Sequence, residues 1–160
     1  MTSSDDLRHK IPSLVATLTE AAWPTTEAES VAFLRRHGFV LSDNAPDKDG
    51  LTISGEMATP FSGVTGHWTI CAGALESISI FACETAPTNR DQLSKAFVIL
   101  DEEFCSLFGE AATDISLGDA PQSSWEIAGH TVSLDCHWNG DRIGVVQLAI
   151  EPTNSEARTA

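Results

Sequence analysis

A cysteine and a histidine stand side by side at Cys136 and His137, in the segment LDCHWNGDRIGVV, and this pair is the first candidate for chemistry. A cysteine nucleophile needs a histidine within hydrogen-bond reach and surroundings that favour the thiolate. The segment alternates apolar and polar residues as a β-strand does, so the two neighbouring side chains point to opposite faces. The negative charge around them raises a thiol pKa. The sequence therefore predicts a structural cysteine and no catalytic pair.

Residues that bind metals or phosphate groups do not occur at the spacings that such sites need. The acidic run from Asp47 to Gly50 lacks the ligand register of a calcium-binding EF-hand loop. Glycine-rich phosphate-binding loops are missing, and Glu102 and Glu103 point apart on a predicted helix, so they form no glycosidase-type pair. We therefore expect no cofactor, no metal and no enzymatic activity, with an enzyme of unrecognised type as the last alternative. The zinc ligands considered, which lack zinc-site spacing, are His67, Cys71, Cys83, Cys136 and His137.

The charge of the chain indicates which partners it accepts. Twenty-three Asp and Glu residues oppose nine Lys and Arg residues, for a net charge of −14. Residues 51–151 hold fourteen acids and only three bases, Arg90, Lys95 and Arg142. Such a field repels nucleic acids and anionic membranes and attracts basic proteins, although it also serves simple solubility. The chain has no signal-like segment and no apolar run long enough to span a membrane, so we expect a cytoplasmic protein.

Three helices are predicted from apolar spacing and capping residues. The first runs from about Pro12 to Ala22 after a looser lead-in, and the second from the capping box at Thr26 to about His37, with Ala28, Val31 and Leu34 on its buried side. The clearest is Arg90 to Phe108, because its large apolar residues repeat at alternating spacings of four and three. That stripe comprises Leu93, Phe97, Leu100, Phe104 and Leu107.

Strands are predicted between these helices and after the last one. Together they indicate an α+β fold: a curved antiparallel sheet of about five to six strands, with one long helix packed on a face and two N-terminal helices. Residues 1–160 are expected to form one domain, with residues 1–10 and 152–160 as flexible tails. The predicted strands are a short one before the acidic loop, then Leu51 to Glu56, Gly66 to Ala72, Glu76 to Glu84, Trp125 to Trp138 and Arg142 to Glu151.

The last two strands form a hairpin, and its register determines whether the side chain of Cys136 faces the core. A two-residue loop at Asn139-Gly140 breaks the apolar face, whereas a three-residue loop, Asn139-Gly140-Asp141, keeps it intact. The longer loop makes Cys136 a core residue and turns Ser133, Asp135 and His137 the other way. Its predicted pairs are Trp138 with Arg142, Cys136 with Gly144, Leu134 with Val146 and Val132 with Leu148.

Exposed carboxylates around an aromatic residue are the features that a basic partner protein would meet. The aromatic candidates are Trp68, Trp125 and Trp138, although a position in the core is the usual outcome for a tryptophan in a small sheet. For the acidic residues, the alternative is ordinary solvated charge. The predicted partner-binding residues are Asp43, Asp47, Asp49, Asp135, His137, Trp138 and Asp141.

In the order of its elements and in its charge, the chain resembles the immunity proteins of bacterial polymorphic toxin systems, including those of actinobacteria. The resemblance implies an inhibitor of a basic cognate toxin, such as a nuclease or an NAD-degrading enzyme. The chain is also similar to acidic secretion chaperones, whose α-β-β-β-α-β-β order implies an unfolded client and a homodimer. Neither resemblance rests on a motif, so neither assigns a role to a particular residue.

Overall fold

The computed structural model describes residues 4–86, 89–115, 121–139 and 143–153. Within these residues three helices and nine strands form an α+β fold, as predicted. The helices are α1 (Ser4–Glu20), α2 (Glu27–Arg36) and α3 (Arg90–Phe108). The strands are β1 (Val40–Leu41), β2 (Asp47–Asp49), β3 (Thr52–Ala58), β4 (Thr65–Cys71), β5 (Ala74–Thr85), β6 (Thr113–Ile115), β7 (Gln122–Ile127), β8 (His130–Asn139) and β9 (Ile143–Pro152).

All strand pairs are antiparallel and belong to one sheet. Its order is β1-β3-β4-β5-β9-β8-β7-β6, and β2 pairs with β3 beside β1. The predicted count of five to six strands was too low. Two of the additional strands, β2 and β6, have three residues each, and an alternation of three residues cannot be recognised in a sequence. The third arises because the predicted strand Trp125 to Trp138 is two strands, β7 and β8, joined by a turn at Ala128 and Gly129.

The two faces of the sheet differ, and we call them the covered face and the open face. The covered face is the side on which the helices pack, and its strand residues form the core with the helices' apolar residues. The open face is the opposite side and has no helix on it among the described residues. Residues that are fully buried on the covered face include Leu75, Ile78, Ile80, Val132, Leu134, Val146, Leu148 and Ile150.

Helix α3 lies across the covered face as predicted, with the predicted bounds. Four of its five predicted stripe residues are buried, and the ring of Phe104 stacks on Trp125 with 5.2 Å between centroids. Leu107 is the exception at 53% exposed. In the last turn Phe108 is the residue that packs against the core, with its ring centroid 5.6 Å from that of Phe104.

The first two helices differ from the predictions in start and orientation. Helix α1 begins at Ser4 and contains Pro12, so residues 4–10 are helical where a flexible tail was expected. Helix α2 has the predicted cap, since the Glu29 amide donates to the Thr26 hydroxyl at 3.1 Å. Its buried residues are Ser30, Phe33 and Leu34 rather than Ala28 and Val31. The helix turns this side inward because Phe33 packs against Trp23, with 5.4 Å between the ring centroids.

The β8–β9 hairpin keeps the predicted faces but not the predicted register. Cys136 pairs with Val146 rather than Gly144, Leu134 with Leu148, Val132 with Ile150, and Trp138 with Gly144. Every partner is two residues further along than expected. A shift of two leaves the alternation unchanged, so the apolar pattern could not distinguish the two registers.

A bulge in β5 changes the face of one cysteine. Between Phe81 and Cys83 the pairing with β9 shifts, so that Phe81 lies opposite Gln147 and Cys83 lies opposite Val146. Strict alternation had placed Cys83 on the same side as Phe81. The extra residue instead turns Cys83 to the covered face, while Phe81 stays on the open face.

Candidate protein-binding surface

The open face is polar, small in its side chains and acidic. Serines, threonines and Gln147 lie near its centre together with Val145 and Ala149, and the Gln147 amide donates to the Ser79 hydroxyl at 3.3 Å. The strand residues that the structure describes on this face include no lysine and no arginine. The carboxylates on it are Asp47, Asp49, Glu56, Glu84, Glu126, Asp135 and Glu151.

An apolar groove lies at the β1 end of the open face. Its volume is about 620 Å³, and Val40, Leu41 and Phe81 supply apolar walls. Val40 is 65% exposed. An aromatic ring within a rim of carboxylates is the arrangement that a cationic partner can both approach and anchor on. The carboxylates that line the groove are Asp43, Glu56 and Glu84.

A second acidic region lies on β8, towards the other end of the sheet. His137 Nδ1 is 3.2 Å from an Asp135 carboxylate oxygen, and both side chains are partly exposed. On neighbouring β7, Glu126 accepts hydrogen bonds from the hydroxyls of Thr131 and Thr153, at 2.9 and 2.8 Å. Within this region, two hydrogen bonds therefore hold the carboxylate of Glu126 in place.

The predicted partner-binding residues mostly share the open face, but they do not form one cluster. Asp47 and Asp49 lie on strand β2, not in a loop as predicted, and Asp43 lines the groove. Asp135 and His137 lie on the open side of β8 as predicted. Strands β3, β4, β5 and β9 separate β2 from β8, and neighbouring strands are about 4.8 Å apart, so the two groups are roughly 24 Å apart.

Two of the three candidate tryptophans lie in the core. Trp68 and Trp125 are buried in the core. The backbone of Trp138 pairs with Gly144 at a covered-face position of β8, and Asp141 lies outside the described residues. The prediction missed Phe81, Glu56 and Glu84, although a large aromatic residue within the polar set of β5 was a usable signal.

Cys136 and His137 point to opposite faces, as the alternation predicted. Cys136 is 3% exposed, and burial raises the pKa of its thiol, with smaller contributions from Asp135 and Cys83. Burial also raises the pKa of the Cys83 thiol, with Glu84 adding to the effect. Among the described residues, no group of three His, Cys, Asp or Glu side chains is arranged to hold a metal ion.

A family model matches residues 9–148, which run from α1 into β9. The chain belongs to the DUF6301 family. That family is described as one of unknown function, and no curated protein and no solved structure matches the chain. The matched part of this DUF6301 protein includes the groove and the carboxylates of β2, β3, β5, β7 and β8. In the part of the chain that the structure describes, no helix is long and apolar enough to cross a membrane.

Proposed function

We propose that this DUF6301 protein is a non-catalytic binding protein whose open face captures a basic protein, and that it acts as an immunity-type inhibitor of a cognate toxin. The observation that carries the proposal is the charge of one sheet face. Seven carboxylates project from its strands, and the described strand residues of that face include neither lysine nor arginine. The lysine of β2, Lys48, occupies the opposite side of its strand.

Charge and shape contribute differently to such an interaction. The carboxylates accelerate association with a cationic surface and discriminate against acidic partners. The groove supplies apolar contact, since Phe81 and the exposed Val40 both line it. Interfaces obtain much of their affinity from a few desolvated aromatic and arginine contacts, so Phe81 is the residue that we expect to anchor the partner.

The open face is also large enough for a stable complex. The sheet has eight strands side by side, and neighbouring strands are about 4.8 Å apart, so the face is roughly 34 Å wide. A strand of about seven residues rises roughly 3.3 Å per residue, so the face is roughly 23 Å long. This is close to the ~800 Å² that each partner contributes to a standard protein interface. A single toxin domain could therefore bind across both acidic regions.

Inhibition follows if the partner's active site is the cationic surface that is bound. A nuclease binds a polyanion and needs lysines and arginines around its active site. The open face would cover those residues and exclude the substrate. A nuclease is therefore the toxin that fits best, and an NAD-degrading enzyme is the other candidate because its substrate also carries phosphates.

The test is co-expression with the product of the neighbouring reading frame, followed by co-purification and a measurement of toxin activity. We expect the wild-type chain to form the complex and neutralise the toxin. The double reversal Glu84→Lys with Asp135→Lys should abolish both. The matched control, Glu20→Lys with Glu102→Lys, changes the net charge equally on exposed positions of α1 and α3 and should neutralise normally. Equal loss in both variants, or in neither, would contradict the open face as the binding surface.

A secretion chaperone is the second candidate, and the groove is what favours it. A groove with Val40, Leu41 and Phe81 in its walls could hold an apolar stretch of an unfolded client. Light scattering on the purified protein, alone and with the partner, separates the two functions. A dimer that binds only unfolded partner would support the chaperone, whereas binding of the folded toxin supports the inhibitor.

A further inference from the structure

A second cavity lies where strand β3 changes neighbours. Strand β1 pairs with the end of β3 and β2 pairs with its beginning, and residues 43–46 cross between them. The cavity beside this crossing has a volume of about 270 Å³. It is polar, and the side chains that carry the argument below are Asp47, Glu56 and Trp68.

The indole of Trp68 differs from those of Trp23 and Trp125, the other tryptophans whose side chains the structure describes. Trp68 is 7% exposed, and its Nε1 is buried without a hydrogen-bond partner among the described residues. In contrast, the indole N–H of Trp23 donates to the Leu75 carbonyl at 2.8 Å, and that of Trp125 donates to the Gly109 carbonyl at 3.0 Å. An indole nitrogen can only donate, so Trp68 needs an acceptor that the described protein atoms do not supply.

Gly55 explains how the indole of Trp68 comes so close to this strand. A Cβ atom at position 55 would come within 2.8 Å of Trp68 Cζ2 and 3.1 Å of Nε1. The indole therefore occupies the space that a side chain at position 55 would need, and both residues line the cavity. Because Nε1 is closed to solvent, an acceptor can reach it only with a small displacement of the wall.

The carboxylates of the cavity indicate a second property that its ligand must have. Asp47 and Glu56 line the same cavity, and both are exposed. They need N–H donors and a positive charge, whereas Trp68 needs an acceptor. An arginine residue offers both, since its guanidinium has five donors in a planar fork and its main-chain carbonyl accepts. A lysine would supply the charge as a compact point without the fork.

We propose that this cavity receives one arginine residue of the basic partner, with the guanidinium at Asp47 and Glu56 and the main-chain carbonyl at Trp68 Nε1. The inference rests on the proposed function in that the arginine is taken to belong to a protein. It also extends the open face, because Ser42 and Glu56 line both this cavity and the groove that contains Phe81. The cavity would thus recognise one particular residue type, whereas the rest of the acidic surface attracts any positive charge.

The test is an NMR titration of the full chain, labelled with ¹⁵N, with N-acetylarginine N-methylamide at millimolar concentrations. The Trp68 indole N–H signal is assigned by its loss in Trp68→Phe. We expect this signal to shift with saturation, while those of Trp23 and Trp125 stay unchanged. The matched ligand is the citrulline derivative, which keeps the carbonyl and the shape but has no charge, and it should leave the signal unchanged.

Variants locate the charge that is recognised. Asp47→Asn combined with Glu56→Gln should weaken binding of the arginine derivative by about tenfold or more, because both charge-assisted contacts are lost. Glu102→Gln removes an exposed carboxylate of α3, outside the cavity and away from the open face, and it should bind as the wild type does. A correct fold in each variant is read from the other backbone amide signals of the same spectrum.

Two results would overturn the inference. One is the absence of any shift at the Trp68 indole, and the other is an equal shift with the citrulline derivative. Neither depends on a variant, and neither bears on the whole open face. If the toxin still binds the wild type but not the Glu84→Lys and Asp135→Lys variant, the proposed function stands and only the arginine cavity fails.

Discussion

The two faces of the sheet differ in burial and in charge. Along β8, Val132, Leu134 and Cys136 are buried beneath the helices, while Ser133 and Asp135 alternate with them on the open face. The same strand thus supplies both the core and the acidic surface. Because a strand has a period of two, selection for stability and selection for binding can act on alternate residues of this sheet almost independently.

The largest effect is expected from the covered face. Phe104→Ala removes a fully buried ring that stacks on Trp125, and such truncations cost about 3–5 kcal/mol of the free energy of unfolding. Urea denaturation measures the loss. Leu107→Ala in the same helix is the control, and its exposed side chain should matter by less than about 0.5 kcal/mol. Similar losses in both variants would contradict the assignment of the two positions.

Much of the covered face could be predicted from the sequence, and its exceptions have identifiable causes. Helix α3 was predictable because its stripe is long, and the faces of β8 and β9 because their alternation is long. The register of that hairpin was not, since an even shift preserves the alternation. Helix α2 turned a different side inward because Trp23 packs against Phe33.

The candidate surface was predictable only in part. Alternation placed Asp135 and His137 away from the core, and composition indicated an acidic surface. Which carboxylates approach one another depends on the order of the strands, and that order involves pairs distant in the sequence, such as β5 with β9. The groove around Phe81 also depends on a bulge in β5, which has no sequence signature. It depends as well on the pairing of the predicted short strand β1 with β3, which the sequence did not specify.

A smaller effect is expected at Gly55, a position of the covered face that packs closely against Trp68. Gly55→Ala places a Cβ atom 2.8 Å from the Trp68 ring, and overpacking of this kind costs about 1–3 kcal/mol. Combining it with Trp68→Leu relieves the collision, so the two changes together should cost less than the sum of their separate costs. If the two changes in the free energy of unfolding were strictly additive, there would be no steric clash between position 55 and the Trp68 ring.

The buried thiols predict how stability depends on alkaline pH. Between the ordinary thiol pKa and the raised pKa of Cys136, the folded protein keeps a proton that the unfolded chain has released. Unfolding therefore becomes more favourable as pH rises. This stability is complete below the ordinary thiol pKa and is lost as pH rises through the raised one. We expect Cys136→Ala to flatten that alkaline decline in urea denaturation.

A control separates titration from packing in that experiment. Leu134→Ala removes a buried residue of the same strand that does not titrate. It should lower the free energy of unfolding at every pH without changing the shape of the curve. An unchanged alkaline decline in Cys136→Ala would mean that the thiol does not couple to folding.

The smallest effect on stability is expected from the open face. Glu84→Gln and Asp135→Asn remove partly or fully exposed carboxylates, and each should change the free energy of unfolding by no more than about 0.5 kcal/mol. Both should slow the association with the toxin, because they weaken electrostatic attraction. A loss of stability comparable to that of Phe104→Ala would contradict the claim that the open face contributes little to folding stability.

Carbodiimide labelling of carboxylates, measured by mass spectrometry with and without the neighbouring gene product, tests the central claim most directly. The exposed carboxylates of the open face, Glu56 and Glu84, should become several-fold less reactive in the complex, together with Asp135. Those of the helices, Glu20 and Glu102, should react as they do in the free protein. Protection of Glu20 and Glu102 alone, or equal protection on both sides, would contradict the claim that the open face is the binding surface.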